Sequence, residues 1–452
     1  MSIPTTAANS DQAHINAPIW PVTQGGAWYG LVVLMLAFLL AMIDRVILAL
    51  LVDPIQRDLN ISDTQFGLLN GVAFAFFYLF MAMPIARLAD RTSRRRIIAI
   101  GVSVWSAMTA SCGLAQTFFQ LFVARMGVGV GEASLSPAAY SMLADMFPRD
   151  QIGRAYGIYN AGALIGFGAS FVVGGGIVAL VEQHHQIHLP LLGAVRSWQA
   201  VFMAVSLPGV LVALLVSTIR EPPRGAAIAV DAAAPGELGQ FLKSHVGILT
   251  LYFLAFGCLG MLLFGTLAWL PAVLTRSYGV SLATAGIALG IGIGIASPFG
   301  AVAGGMASDF LTARGRRDAP MIVGMCGAIG AFFFVVSAPV APNWLLSVAL
   351  TCGLFFCLTF PTSVGPAGLQ MITPAPIRAQ VTALYVIATG LAGMTTGSLA
   401  IGAITEHVFR TKAAVGLSIA TFGAIVAPIM AVLFHLLRTK FARLNGHGPE
   451  SA

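Results

Sequence analysis

Charge is what this sequence has least of. Only 9% of its 452 residues are Asp, Glu, Lys or Arg, against roughly 25% in soluble domains. With 58% hydrophobic residues and a mean hydropathy of +0.87, no soluble core could hide so much apolar surface. Apolar runs of membrane-spanning length recur along the whole chain. Lysine is nearly absent (Lys243, Lys412 and Lys440 only), and this bias toward arginine points to a GC-rich bacterial genome. The five cysteines all fall inside apolar runs, as buried thiols do, and neither a disulfide nor a metal site is expected. His184, His185 and His188 have only Glu182 beside them, so they read as a solvated loop. The phosphate-binding Gly-x-x-x-x-Gly-Lys loop is missing, and no soluble stretch is long enough for an ATPase. These absences exclude an ATP-driven pump and argue against any enzyme, cofactor or nucleic-acid partner.

What is present is an all-α pattern of twelve spans. They cover roughly residues 28–51, 66–88, 97–115, 118–146, 152–181, 198–218, 246–271, 281–308, 319–338, 343–372, 377–405 and 413–437. The loops after the even-numbered spans, with the C-terminal tail, hold seventeen of the twenty-four basic residues; the opposite side holds five. By the positive-inside rule both termini are cytoplasmic, in a bacterial inner membrane. The expected division is a polar N-terminus (1–27), one six-helix bundle (28–218), a cytoplasmic linker (219–245), a second bundle (246–437) and a tail (438–452).

The two bundles repeat one another. Asp90, in Ala-Arg-Leu-Ala-Asp-Arg-Thr-Ser-Arg-Arg-Arg, and Asp309, in Gly-Met-Ala-Ser-Asp, lie 219 residues apart in equivalent connections. Pro148 and Tyr159 recur as Pro374 and Tyr385 at an offset of 226. Parallel six-span repeats with a site between them are the plan of major facilitator transporters. The loop Ala86–Arg96 resembles the signature of that superfamily, with Ala86 and Ser93 where glycine is usual. The resemblance implies a cytoplasmic latch built on Asp90, Arg91, Arg94, Asp145, Arg154 and Asp309.

Four charges lie inside the first half: Asp44, Arg45, Arg125 and Glu132. Each costs roughly 2.5–3.5 kcal/mol at the centre of a membrane helix, so each needs a purpose. Arg125 and Glu132 are seven residues apart on one helix face. Asp44 lies about 24 Å along the first span and Arg125 about 10 Å in from the outer end of the fourth, which puts them at similar depth. An ion pair between Asp44 and Arg125 is therefore expected, with Asp44 exchanging between Arg45 and Arg125. Glu132, about 10 Å further inward, is the expected proton carrier.

Ile43-Asp44-Arg45, the stretch Gly129-Val-Gly-Glu132-Ala-Ser134-Leu-Ser136-Pro137 and Asp145-Met-Phe147-Pro148 resemble the spinster family of the major facilitator superfamily. The resemblance implies substrate and proton handling at Asp44, Glu132 and Arg125. Its animal members carry sphingosine phosphate or lysophospholipids. The fourth-span motif also resembles organic-anion transporters of the same superfamily.

The second half has no charge well inside a span. It offers aromatics and the hydroxyls of Thr359, Thr362 and Tyr385. Ser136, Tyr159 and Asn160 complete the candidate set on the first half. A charged wall facing an apolar one suits an amphipathic or anionic molecule. The expectation is a monomeric, proton-coupled transporter, with lipids around it. The competing readings are a small organic-anion/proton symporter, a drug exporter, and a non-transporting receptor or scaffold.

Overall fold

The computed structural model describes residues 24–148, 151–181, 186–189, 193–222, 236–374 and 377–444. The protein is all-helical in its membrane part: twelve spans in two pseudo-symmetric six-helix bundles. A helix satisfies its backbone groups internally, which the bilayer demands. The first span is Gln24–Leu50. The second is broken into Asp63–Asn70 and Val72–Arg91, the third is Arg94–Cys112, and the fourth is broken into Phe118–Glu132 and Leu135–Met146. Ile152–Val181 and Ser197–Thr218 complete the first half. Among the described residues, ten helices are long and apolar enough to cross a membrane. The other two spans are the third, headed by three arginines, and the fourth, which carries Arg125 and Glu132; they pack on each other.

The second half runs Val246–Tyr278, Leu282–Ala313, Ala319–Ser337, then Trp344–Thr359 with Val364–Ile372 as the tenth span. The eleventh begins as Arg378–Leu391, widens into π-helix over Ala392–Thr396 and again over Ile404–Phe409, and the twelfth is Val415–Leu444. Side-chain caps fix several starts. Ser62 and Gln65 form a reciprocal capping box, and Thr117, Ser281 and Asn343 each accept a main-chain N–H of their own first turn. His184 and His185 lie outside the described residues, and His188 stands in an antiparallel hairpin that pairs Gln186–Leu189 with Gly193–Arg196.

Glycines let the two halves touch backbone to backbone. A Cβ on Gly168 of the fifth span would lie 2.5 Å from the Cα of Gly294 on the eighth. One on Gly71 of the second span would lie 2.6 Å from the carbonyl oxygen of Met394 on the eleventh.

At the end opposite the arginine-rich loops the halves are bolted together. Arg276 at the end of the seventh span donates to Asp53 at 2.7 Å, to Asp63 at 3.0 Å and to the Gln56 side-chain Oε1 at 2.9 Å. Thr275 donates to Asp53 at 2.7 Å, and the Thr64 N–H donates to Glu406 at 3.0 Å. These contacts close the two halves against each other on this side.

Candidate functional site

The four intramembrane charges cluster inside the first half, and of them Arg45 lines the pocket that faces the second. Arg45 Nη2 donates to Glu132 Oε2 at 2.7 Å, with side chains 14% and 1% exposed. Glu132 stands on the last turn of Phe118–Glu132, before the break that starts the next helix. The Arg45 guanidinium lies 4.6 Å from the Phe74 ring centroid and 5.1 Å from that of Tyr78, and the two rings stack. Arg125 approaches Phe74 as well, at 5.5 Å. One buried ring thus serves two cations, a use of its negative π face.

The expected Asp44–Arg125 ion pair is not made in this state. Arg125 Nη1 donates instead to the main-chain carbonyl of Asp44 at 3.2 Å. The Asp44 carboxylate points toward Trp105 and Thr109 of the third span. Neither carboxylate oxygen, nor Trp105 Nε1, nor Thr109 Oγ1, makes a hydrogen bond among the described residues. Nε and Nη2 of Arg125 are likewise buried without a partner. The cause lies in helix geometry: neighbouring residues point about 100° apart, so Asp44 and Arg45 cannot both face the same part of the fourth span.

A pocket opens between the halves beside this network. Arg45 and Asn70 are its polar lining, while Phe264, Leu267, Ala268 and Met394 come from the second half. Asn70 ends the first piece of the second span, and its Nδ2 donates to Ser398 Oγ at 3.4 Å.

Other expected site residues lie apart from it. The Tyr159 ring stacks on Phe38 beside Ser136, and its hydroxyl is buried and unpartnered among the described residues. Asn160 is exposed, accepting from Tyr140 at 2.7 Å and donating to the Tyr156 carbonyl at 2.8 Å. In the second half, Thr359 donates to the Ser297 and Phe355 carbonyls at 2.9 and 2.8 Å, so its hydroxyl ties the tenth span to the eighth. Thr362 bonds back to the Thr359 carbonyl at 2.6 Å. Tyr385 is buried against Tyr252, Phe253 and Phe256. None of these three lines the pocket. Sequence reasoning missed Asn70, Phe74 and Tyr78; polar and aromatic residues on a span that is otherwise Phe-rich gave no sign of their own.

The expected latch residues divide. Arg94, 1% exposed, pairs with Asp145, donates to the Ser141 hydroxyl oxygen at 2.9 Å and donates its main-chain N–H to Glu221 at 2.7 Å. Ser93 caps the third helix and donates to Glu221, which gives that departure from glycine a structural use. Burial pushes the Glu221 carboxyl up, but the Ser93 and Arg94 hydrogen bonds and the Arg94 charge outweigh it and hold it below the usual range. Arg154 lies 5.3 Å over the Trp28 ring. Arg91 is exposed, and the side chain of Asp90 lies outside the described residues. In the second half Asp309 is exposed and unpaired among the described residues. The ion-paired carboxylate nearby is Asp318, bound by Arg316 at 3.0 Å and Arg438 at 2.9 Å.

The sequence profile described as Major Facilitator Superfamily matches residues 34–394, and the chain belongs to that superfamily of membrane transporters. Within it the likeness is to the spinster transporters. A crystal structure described as a bacterial homolog to the human lysosomal transporter spinster, inward-facing and occupied, is 25% identical. It superimposes with a TM-score of 0.76, covering 94% of this chain and 97% of that one. Protein spinster homolog 1 of Xenopus tropicalis is 34% identical over 190 residues, covering 42% of this chain and 34% of that protein. An MFS-type efflux pump of Mycolicibacterium smegmatis is 26% identical, covering 90% of each chain. A probable L-galactonate transporter of Escherichia coli is 26% identical over 73% of this chain and 72% of that protein.

Proposed function

We propose that the protein is a proton-coupled secondary transporter that moves an anionic or amphipathic small molecule by alternating access. The observation that supports this best is the Arg45–Glu132 bridge at 2.7 Å on the wall of the interdomain pocket. Arg45 is the cation an entering anion would meet, and Glu132 already occupies it. A proton on Glu132 weakens that bridge and frees Arg45 for the substrate. Loss of the proton restores the bridge and expels the substrate. The anion and the Glu132 carboxylate thus compete for one guanidinium, so proton and anion load together and bias the equilibrium between the two open states.

Asp44 and Arg125 form the second tier of the network. They are adjacent but not ion-paired here. The arginine-rich side is the cytoplasmic side of a bacterial inner membrane, with both termini there and the chain acting as a monomer. Arg94, Asp145 and Glu221 tie three elements of the first half, and with Asp90, Arg91, Arg154 and Asp309 they steady the opposite, outward-open state.

The apolar second-half wall of Phe264, Leu267 and Met394 favours an amphipathic substrate with an anionic head. A small sugar acid is the second reading, favoured by the single pocket-facing arginine and by the L-galactonate transporter among the relatives. Uptake into proteoliposomes under an imposed pH gradient, with a lysolipid and a sugar acid in turn, tests both. Glu132→Gln abolishes the pH dependence on this account.

A further inference from the structure

Beyond Arg45, the pocket has one other polar side chain among the described lining residues, Asn70. It sits one turn before Phe74, the ring on which the Arg45 guanidinium rests at 4.6 Å. The second span breaks directly after it, at Gly71, so the Asn70 amide ends a helix piece instead of pointing out from its middle. Its Nδ2 reaches Ser398 of the other half at 3.4 Å, a long bond that costs little to exchange. Its Oδ1 makes no hydrogen bond within the described residues and is not sealed from the pocket. The eleventh span faces it with the π-helical turn holding Met394.

The geometry points to Asn70 as the second head-group contact of the site and its specificity-determining residue. Arg45 supplies the charge, and the Asn70 amide supplies a neutral donor a short way off. Together they take a head group carrying two or more oxygens on one centre, a carboxylate or a phosphate monoester. When the anion is bound, Asn70 Nδ2 donates to it in place of Ser398. This rests on the anionic-substrate reading above and adds the residue that reads head-group shape. The same chemistry serves a sugar acid and a short amphiphile, so both belong in the test.

Calorimetric titration of the purified protein in nanodiscs, with empty nanodiscs subtracted, provides that test. The probes are glucuronate and hexyl phosphate, each beside its neutral counterpart, glucose and hexanol. A hydrogen bond to a charged group corresponds to about a tenfold change in affinity. Asn70→Asp should weaken the anion that binds by tenfold or more, and Asn70→Ala by several-fold, with the neutral probes unchanged. The anion that responds identifies which source of the chemistry the site takes. Asn70→Ala keeps the test standing if the aspartate variant does not fold. Wild-type protein that binds neither anion overturns the anionic-substrate reading, and this inference with it. Wild-type binding that both variants retain within twofold overturns the role of Asn70 alone.

Discussion

Arg125 holds Asp44 by its backbone and not by its charge: Nη1 meets the Asp44 carbonyl oxygen at 3.2 Å while both carboxylate oxygens stay unpartnered among the described residues. A buried charge without a partner destabilises whatever state holds it. Asp44→Asn should therefore leave the thermal stability of this state unchanged or raised, while impairing proton-driven transport. Arg125→Met should lower stability by about 1–3 kcal/mol, because the Asp44 carbonyl loses its donor. Thermal unfolding in detergent or nanodiscs checks both.

The outer bolt yields a population shift. Arg276 is 7% exposed in its side chain and binds two carboxylates of the other half. Removing one member of such a buried network costs about 3–5 kcal/mol. Arg276→Ala should move the protein toward the state open on that side by tenfold or more. Spin labels at Arg57 and Val408, both exposed at the outer ends, should report a longer distance in the variant.

The glycine seam gives a steric route to the same state. A Leu at Gly67 would place its Cβ 2.9 Å from the Ser398 carbonyl oxygen and the Leu399 Cα. Backbone cannot swing aside as a side chain can, so Gly67→Leu should block closure of the outer end. The same label pair should stay long whatever substrate or proton gradient is applied.

The spans, the repeat and the four intramembrane charges were legible in the sequence because each is a departure from a uniform apolar background. The pairing was not. Counting residues gives depth along a helix but not the direction a side chain takes around it, so Asp44 and Arg45 could not be told apart. Arg276 read as a loop residue, because nothing in the chain says that Asp53 and Asp63 return to meet it. Thr359 read as a cavity hydroxyl, yet its proton is used within the second half. The Asp309 repeat was visible, but the ion-paired Asp318, nine residues on, was not, because Arg438 of the twelfth span reaches it only in the fold.

Acid acts on the Arg94 cluster. The Glu221 carboxyl is held below its ordinary value of 4.5 by the Ser93 and Arg94 contacts, against the opposing effect of burial. A depressed folded-state value means the stabilisation is fully present above about pH 4.5 and is lost as pH falls through the lower folded-state value. Glu221→Gln should flatten the acid limb of the stability–pH curve, with little change at neutral pH beyond a uniform loss. Melting temperatures from pH 3 to 7 show whether it does.

The Arg45–Glu132 bridge carries the account, and its most direct test is uptake of the bound anion into proteoliposomes, with and without an inward proton gradient. Wild-type protein should accumulate the anion only under the gradient. Glu132→Gln, which keeps the shape and gives up the titrating group, should exchange substrate across the membrane but accumulate none. Gradient-driven accumulation by Glu132→Gln at the wild-type level would contradict the account.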